Sequence, residues 1–125
     1  LKILISNQSE LPIYSQIKEQ IKEQILNGNI EEGTILPSIR KLAKEIGVSV
    51  ITTTRAYNEL EKEGFIASMQ GKGSVVLSKD NKILKEQYLI RIEEGLENAI
   101  QTAKKIGMDY VELEELANKI WKGME

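Results

Sequence analysis

The stretch Leu36-Pro37-Ser38-Ile39-Arg40-Lys41-Leu42-Ala43, continued by Gly47-Val48-Ser49-Val50-Ile51-Thr52-Thr53-Thr54-Arg55, decides how this chain is read. Ser38 is a good helix N-cap. Behind it Ile39, Leu42, Ala43 and Ile46 recur at helical spacing, and Gly47 supplies the left-handed residue that stops a short helix. Ser49 then caps a second helix whose apolar face is Thr53, Ala56, Tyr57 and Leu60, and Gly64 terminates it. Two short helices joined through a tight glycine turn follow the plan of a helix-turn-helix, whose second helix lies in a DNA major groove. Residues 65–69 and 74–78 are β-rich runs joined by Gln70-Gly71-Lys72-Gly73, a hairpin signal that reads as a two-stranded wing.

Upstream, Ile3 and Ile5 alternate with Lys2, Leu4 and Ser6, a pattern that suggests a short strand or an extended arm. Ser9 or Glu10 precedes Pro12, a residue favoured in a first helical turn. Ile13, Ile17, Ile21 and Ile25, with Tyr14 and Leu26, then make one apolar stripe that ends at Gly28, and Asn29 to Thr34 read as a loop. Tyr14 and Tyr57 are assigned to packing between the first and third helices. Past Lys79-Asp80-Asn81 the character changes. Leu89, Ile92, Leu96, Ala99, Ala103 and Ile106 alternate steps of three and four over roughly 2.5 heptads, fewer than a coiled-coil assignment needs. Gly107 closes that helix, and Asp109 with Glu112 suggests a capping box for a last one. The expected fold is mainly α with a small β-wing: a winged helix-turn-helix over 1–78, then a two-helix dimerisation tail over 79–125.

Composition narrows the function. At 125 residues the chain is the size of one domain or of a small domain with an appendage. It has no cysteine and no histidine, which excludes disulfides and thiolate metal sites and removes the usual general base and the commonest metal ligand. No apolar run is long enough to cross a bilayer, and Leu1 to Ile5 are too short for a signal peptide, so a cytoplasmic protein without a membrane role is expected. No cofactor or metal is implied. The net charge of −2 argues against nucleic acid only if taken whole. Residues 1–78 carry nine basic and nine acidic side chains, and within 34–58 Arg40, Lys41, Lys44 and Arg55 face only Glu45. Phosphates sense local potential within about 10 Å, so this locally basic stretch suits specific, salt-sensitive binding.

The candidate DNA-contacting residues are Ser38, Arg40, Ser49, Val50, Ile51, Thr52, Thr54, Arg55, Gly71, Lys72 and Gly73. Ser38 and Arg40 sit at a helix N-terminus, where free N–H groups and partial positive charge favour phosphate. Arg40 points away from Ile39 and Leu42, free to take a phosphate bidentately or a guanine O6/N7 edge; the plain alternative is a solvated arginine paired with a nearby glutamate. A helix that exposes Val50 and Ile51 while burying Thr53 is odd in a lone globular domain. It makes sense if the apolar groups touch thymine methyls and the hydroxyls touch bases or phosphates. Otherwise one of Val50 and Ile51 belongs to the core. Lys72 between two glycines suits a minor-groove or backbone approach, or is an ordinary turn lysine.

These residues resemble the GntR superfamily of bacterial transcription regulators. The resemblance rests on Pro12-Ile13-Tyr14-Ser15-Gln16-Ile17, Gly28, Gly33, the Leu36–Ala43 run, Gly47-Val48-Ser49, Thr52, Arg55-Ala56-Tyr57, Leu60, Gly64-Phe65-Ile66 and Gly71-Lys72-Gly73. The short tail looks like that of the YtrA-like subfamily. The resemblance implies a homodimeric winged helix-turn-helix on a pseudo-palindromic double-stranded DNA operator; the leading reading is a repressor that occupies a promoter, with activation left open. It places DNA contacts at Arg40, Ser49, Val50, Thr52, Thr54, Gly71 and Lys72. Many members carry arginine where this chain has Val50, and several where it has Thr54, so its operator is expected to differ. Arg55 is free to take over one such contact, or to pair with Glu59 on the same helix face.

The tail cannot bury its seam alone. Antiparallel packing of 82–106 on 110–123 is expected to hide part, and a second subunit the remainder, through Leu89, Ile92, Leu96, Ala99, Ala103 and Trp121. Trp121 is either an interface anchor or the residue that closes the intrachain helix pair. No pattern indicates a small-molecule effector, and two helices enclose too little for an ordinary ~300–1,000 Å³ cavity. An effector site would therefore fall at the dimer interface or between tail and winged module. Two rival classes remain: a winged-helix protein-interaction module docking through Val50 and Ile51, and an enzyme. The enzyme is disfavoured by the missing histidine and cysteine and by the lack of a Gly-rich phosphate loop.

Overall fold

In a computed structural model describing residues 1–78 and 81–125, the isoleucine stripe becomes helix α1 (Ile13–Leu26), with Ile17, Ile21 and Ile25 buried. Pro12 is itself the N-cap, with extended backbone and no side-chain cap, so neither Ser9 nor Glu10 starts the helix. Ser9 Oγ instead accepts from Leu11 N (3.1 Å). Ahead of α1 the chain is an extended arm and not a strand, and three glutamines one turn apart hold it. Gln20 exchanges two hydrogen bonds with Leu4 (2.8 and 2.7 Å), Gln16 does the same with Ser6 (2.9 and 2.9 Å), and Gln24 Nε2 donates to Lys2 O (2.9 Å). The spacing explains the match: four helical residues rise about 6 Å and two extended residues about 6.6 Å, so alternate arm residues meet successive turns. Ile3 is thereby pressed into the core.

Helix α2 (Ile39–Ile46) and helix α3 (Val50–Lys62) form where their caps predict. Ser38 Oγ accepts from Lys41 N, Gly47 closes α2 at φ +71°, and Ser49 Oγ accepts from Thr52 N. Strands β1 (Ile66–Met69) and β2 (Gly73–Val76) pair antiparallel from Ile66↔Val76 to Met69↔Gly73. The residues read as a loop before α2 add a third, short partner. Leu36 N donates to Ser74 O and Val76 N to Thr34 O (both 2.9 Å), and Ile35 bridges to Val75. The core joins α1, α3 and this sheet through Ile17, Ile21, Leu60, Phe65 and Ile66. At the far end of α3, Glu63 pairs with Lys18 and Lys22 of α1 (both 3.2 Å). Burial alone would lower the Lys18 pKa, but the hydrogen bond and charge of Glu63 outweigh it and leave the ammonium above its ordinary value.

The chain divides into two compact units, Leu1–Tyr88 and Leu89–Glu125. The first runs past Ser78 because Leu84, in the opening turn of helix α4 (Lys82–Lys105), is fully buried and Tyr88 packs against the core. Asn81 Oδ1 caps that turn, accepting from Ile83 N (2.9 Å) and Leu84 N (3.2 Å). Lys79 and Asp80, where the tail was expected to begin, lie outside the described residues.

In the second unit Asp109 and Glu112 form the expected capping box at the start of helix α5 (Tyr110–Met124). The expected antiparallel packing is not found. Ala103 is buried and Met108 and Leu113 half-buried around the Gly107 turn, but α5 buries none of its residues, and Leu89, Ile92, Leu96, Ala99, Leu116 and Ile120 are exposed. Heptad spacing specifies which face of a helix is apolar and says nothing of what covers it. Ala103, expected at a subunit interface, is taken up by this intrachain corner. Trp121, 72% exposed, does not close the helix pair.

Tyr57 sits in the core and donates its phenol hydrogen bond to Pro37 O (2.6 Å), tying α3 to the entry of α2. Tyr57→Phe should cost about 1 kcal/mol in urea denaturation. Burial, helped by the charge of Glu45, pushes the phenol from 10.0 up to about 12. Its folded pKa is raised, so its contribution is complete below pH 10 and lost as pH rises toward 12. Between those values the wild-type protein should lose stability faster than Tyr57→Phe, so the two curves should meet and then cross.

Candidate nucleic-acid interface

Burial of Thr53, Ala56, Tyr57 and Leu60 fixes which way α3 turns its other residues. Thr53 is tolerated inside because its Oγ1 donates to Ser49 O (3.1 Å), leaving its methyl to the core. At 100° per residue, the opposite line of the helix is Ile51, Arg55, Asn58 and Lys62. All four are exposed, Ile51 by 82%. Val50 is 38% exposed, so neither apolar residue of the first turn belongs to the core.

The hydroxyls of this turn form a small network. Ser49 Oγ donates to Thr52 Oγ1 (2.8 Å), and Thr54 Oγ1 donates to Val50 O (2.8 Å). The Thr54 proton is thus committed within the helix, and the Ser49–Thr52 pair spends one of its two hydroxyl protons internally and keeps the other for an outside acceptor. The surface offered is a mixture of methyls, acceptor lone pairs and one hydroxyl donor, the functional groups that read thymine methyls and base edges.

Ser38 and Arg40 lie exposed at the N-terminus of α2, and Arg40 has no ion pair or hydrogen-bond partner among the described residues, so the local glutamate pairing is not made. Glu45, its only acidic neighbour in this stretch, pairs instead with Lys41 (4.0 Å). In the wing, Lys72 N donates to Met69 O (2.9 Å) and Gly71 takes φ +80°, as the third position of a type II turn demands. Gly73 follows at φ +91°, and Lys72 stands exposed between them. The candidate residues therefore fall into a linked cluster at the α3 start, a helix end at α2 tied to α3 through Tyr57, and a separate glycine tip.

One feature was not read from the sequence. Arg55 does not pair with Glu59; its guanidinium lies over the Tyr14 ring, 3.7 Å from the centroid. Tyr14, assigned to packing alone, is a half-buried platform for that cation. The two residues lie far apart in sequence on different helices, and no local spacing brings them together. Open hollows of about 810 and 590 Å³ occur in the first unit, the former beside Ser38 and Lys41; the hollow at the α4–α5 turn is only about 130 Å³.

A capped second helix with an exposed first turn, a packed companion helix and a glycine-tipped hairpin define a winged helix-turn-helix. The profile of the family described as "Bacterial regulatory proteins, gntR family" matches residues 13–76. The HTH-type transcriptional repressor YtrA of Bacillus subtilis (strain 168) is 36% identical over 118 residues, covering 94% of this chain and 91% of that protein. A solved structure of YtrA from Sulfolobus acidocaldarius, a GntR-family transcription factor, has a TM-score of 0.59 and 40% identity over 75% of this chain and 96% of that one. The structure of AraR(DBD) in complex with operator ORX1 has a TM-score of 0.53 and 33% identity, covering 61% of this chain and 95% of that one. The chain belongs to the GntR family: it is a DNA-binding transcriptional regulator, not an enzyme. No described helix is long and apolar enough to cross a membrane.

If the exposed turn of α3 serves a partner and not the fold, its removal should be thermodynamically silent. Ile51→Ala should change urea stability by less than about 0.5 kcal/mol, whereas Leu60→Ala, on the buried face, should cost about 2–5 kcal/mol.

Proposed function

We propose that the chain represses transcription by binding a pseudo-palindromic operator as a homodimer, the first turn of α3 reading bases in successive major grooves. The observation that carries this is Ile51, almost wholly exposed in the first turn of a helix whose opposite face is buried. In this reading Val50 and Ile51 meet thymine methyls, while Ser49, Thr52 and Thr54 meet base edges and phosphates. Arg40 and Ser38 hold the backbone or a guanine edge, and the Gly71-Lys72-Gly73 tip reaches the adjacent backbone or minor groove. The complex of AraR(DBD) with its operator supports the DNA assignment for a related fold.

The tail supports the dimer. Leu89, Ile92, Leu96, Leu116, Ile120 and Trp121 are all exposed in a chain otherwise rich in charge. A second copy would cover that surface, and one face of a duplex requires two α3 helices about 34 Å apart, which a single copy does not supply. Sedimentation or light scattering should give a dimer, and truncation after Tyr88, which keeps the first compact unit whole, or the pair Ile92→Asp and Leu96→Asp should give a monomer with much weaker operator binding. A dimer that persists in both contradicts the role given to the tail.

The DNA reading is tested by selecting duplexes from a random pool on the wild-type protein and measuring anisotropy on the enriched sequence. The dissociation constant should be on the order of 10⁻⁸ M and rise steeply with salt. Arg40→Ala should cost about 1–3 kcal/mol and relax preference at one position if it reads a base, or weaken all sequences alike if it holds phosphate. Unchanged binding would remove Arg40 from the interface.

A further inference from the structure

We infer that Tyr14 is a positioning residue for DNA recognition: it holds the Arg55 guanidinium flat on its ring so that the in-plane donors point outward as a rigid fork. The inference rests on the proposed DNA reading and extends it to a residue of α1. Three observations carry it. The Arg55 Cζ lies over the Tyr14 ring, 3.7 Å from its centroid, within cation–π range. Stacking occupies the π-face of the cation and none of its N–H groups, and among the described residues those groups have no carboxylate or carbonyl partner. Arg55 also shares the outward line of α3 with Ile51, one turn further along.

An exposed arginine ordinarily samples many rotamers and must lose that freedom when it binds. A ring that already fixes the plane lowers this cost, as preorganisation does generally. A fixed fork suits a pair of acceptors in one plane, which both a guanine O6/N7 edge and a phosphate provide. This chain has Val50 and Thr54 on the reading turn, so Arg40 and Arg55 are the only arginines of its helix-turn-helix. The half-buried ring makes α1 part of the recognition apparatus through Arg55.

The test is a double-mutant cycle measured by anisotropy on the duplex enriched by the wild-type protein, using Tyr14→Leu, Arg55→Ala and the double variant, with Tyr14→Phe as the conservative control. Tyr14→Leu should weaken binding about three- to tenfold, Tyr14→Phe should bind as wild type, and Tyr14→Leu should add nothing once Arg55 is alanine. Single-base variants of the duplex separate the two acceptors. Loss of preference at one G·C pair in both Tyr14→Leu and Arg55→Ala marks a base contact, and uniform weakening marks phosphate. An equal loss from Tyr14→Leu with and without Arg55 overturns the positioning role and leaves the DNA reading standing. Failure of Tyr14→Phe to restore binding also overturns it. If the wild-type protein enriches no duplex, both readings fall together.

Discussion

Everything in the winged unit depends on the packing of one face of α3. Thr53, Ala56, Tyr57 and Leu60 are inserted between α1, α2 and the sheet, and their burial leaves no rotational freedom in the helix. Tyr57 adds the tie to Pro37 that sets the entry of α2, and Glu63 adds the paired lysines of α1 at the other end. Once that face is fixed, the line through Ile51 and Arg55 has nowhere to point but outward. A threonine on the buried side and an isoleucine on the outer side invert ordinary patterning, which fits the proposed reading of a helix that serves a core and a DNA partner at once.

Charge is arranged to the same end. The protein is mildly acidic, but the excess lies in residues 79–125, with eight basic and ten acidic side chains. The helix-turn-helix keeps Arg40, Lys41, Lys44 and Arg55 with one local carboxylate, and that carboxylate is engaged by Lys41. At physiological salt the field of an exposed charge is screened within about 8 Å, so a locally cationic stretch coexists with a negative total.

The local parts of this design were legible in the sequence because each has a short-range signature. Ser38 and Gly47 bound α2, Ser49 and Gly64 bound α3, and Asp109 with Glu112 announced α5, since caps and left-handed glycines act over three or four residues. The outer residues of α3 followed from the wheel once its core face was recognised. What escaped was non-local. The pairing of Thr34–Leu36 with β2, the grip of Gln16, Gln20 and Gln24 on the arm, and the Arg55–Tyr14 stack all join residues whose separation carries no periodic signal. In the tail the seam was visible but its cover was not, and the helices meet only at the Ala103–Leu113 corner.

The most direct measurement of the central claim is photocrosslinking from position 51, with a photoreactive aromatic amino acid in place of Ile51 and the protein bound to its selected duplex. The account predicts crosslinks to bases in both half-sites, their centres about 10 base pairs apart on one face of the helix. Full-affinity binding with crosslinks to protein alone, or to no base in either half-site, would contradict it.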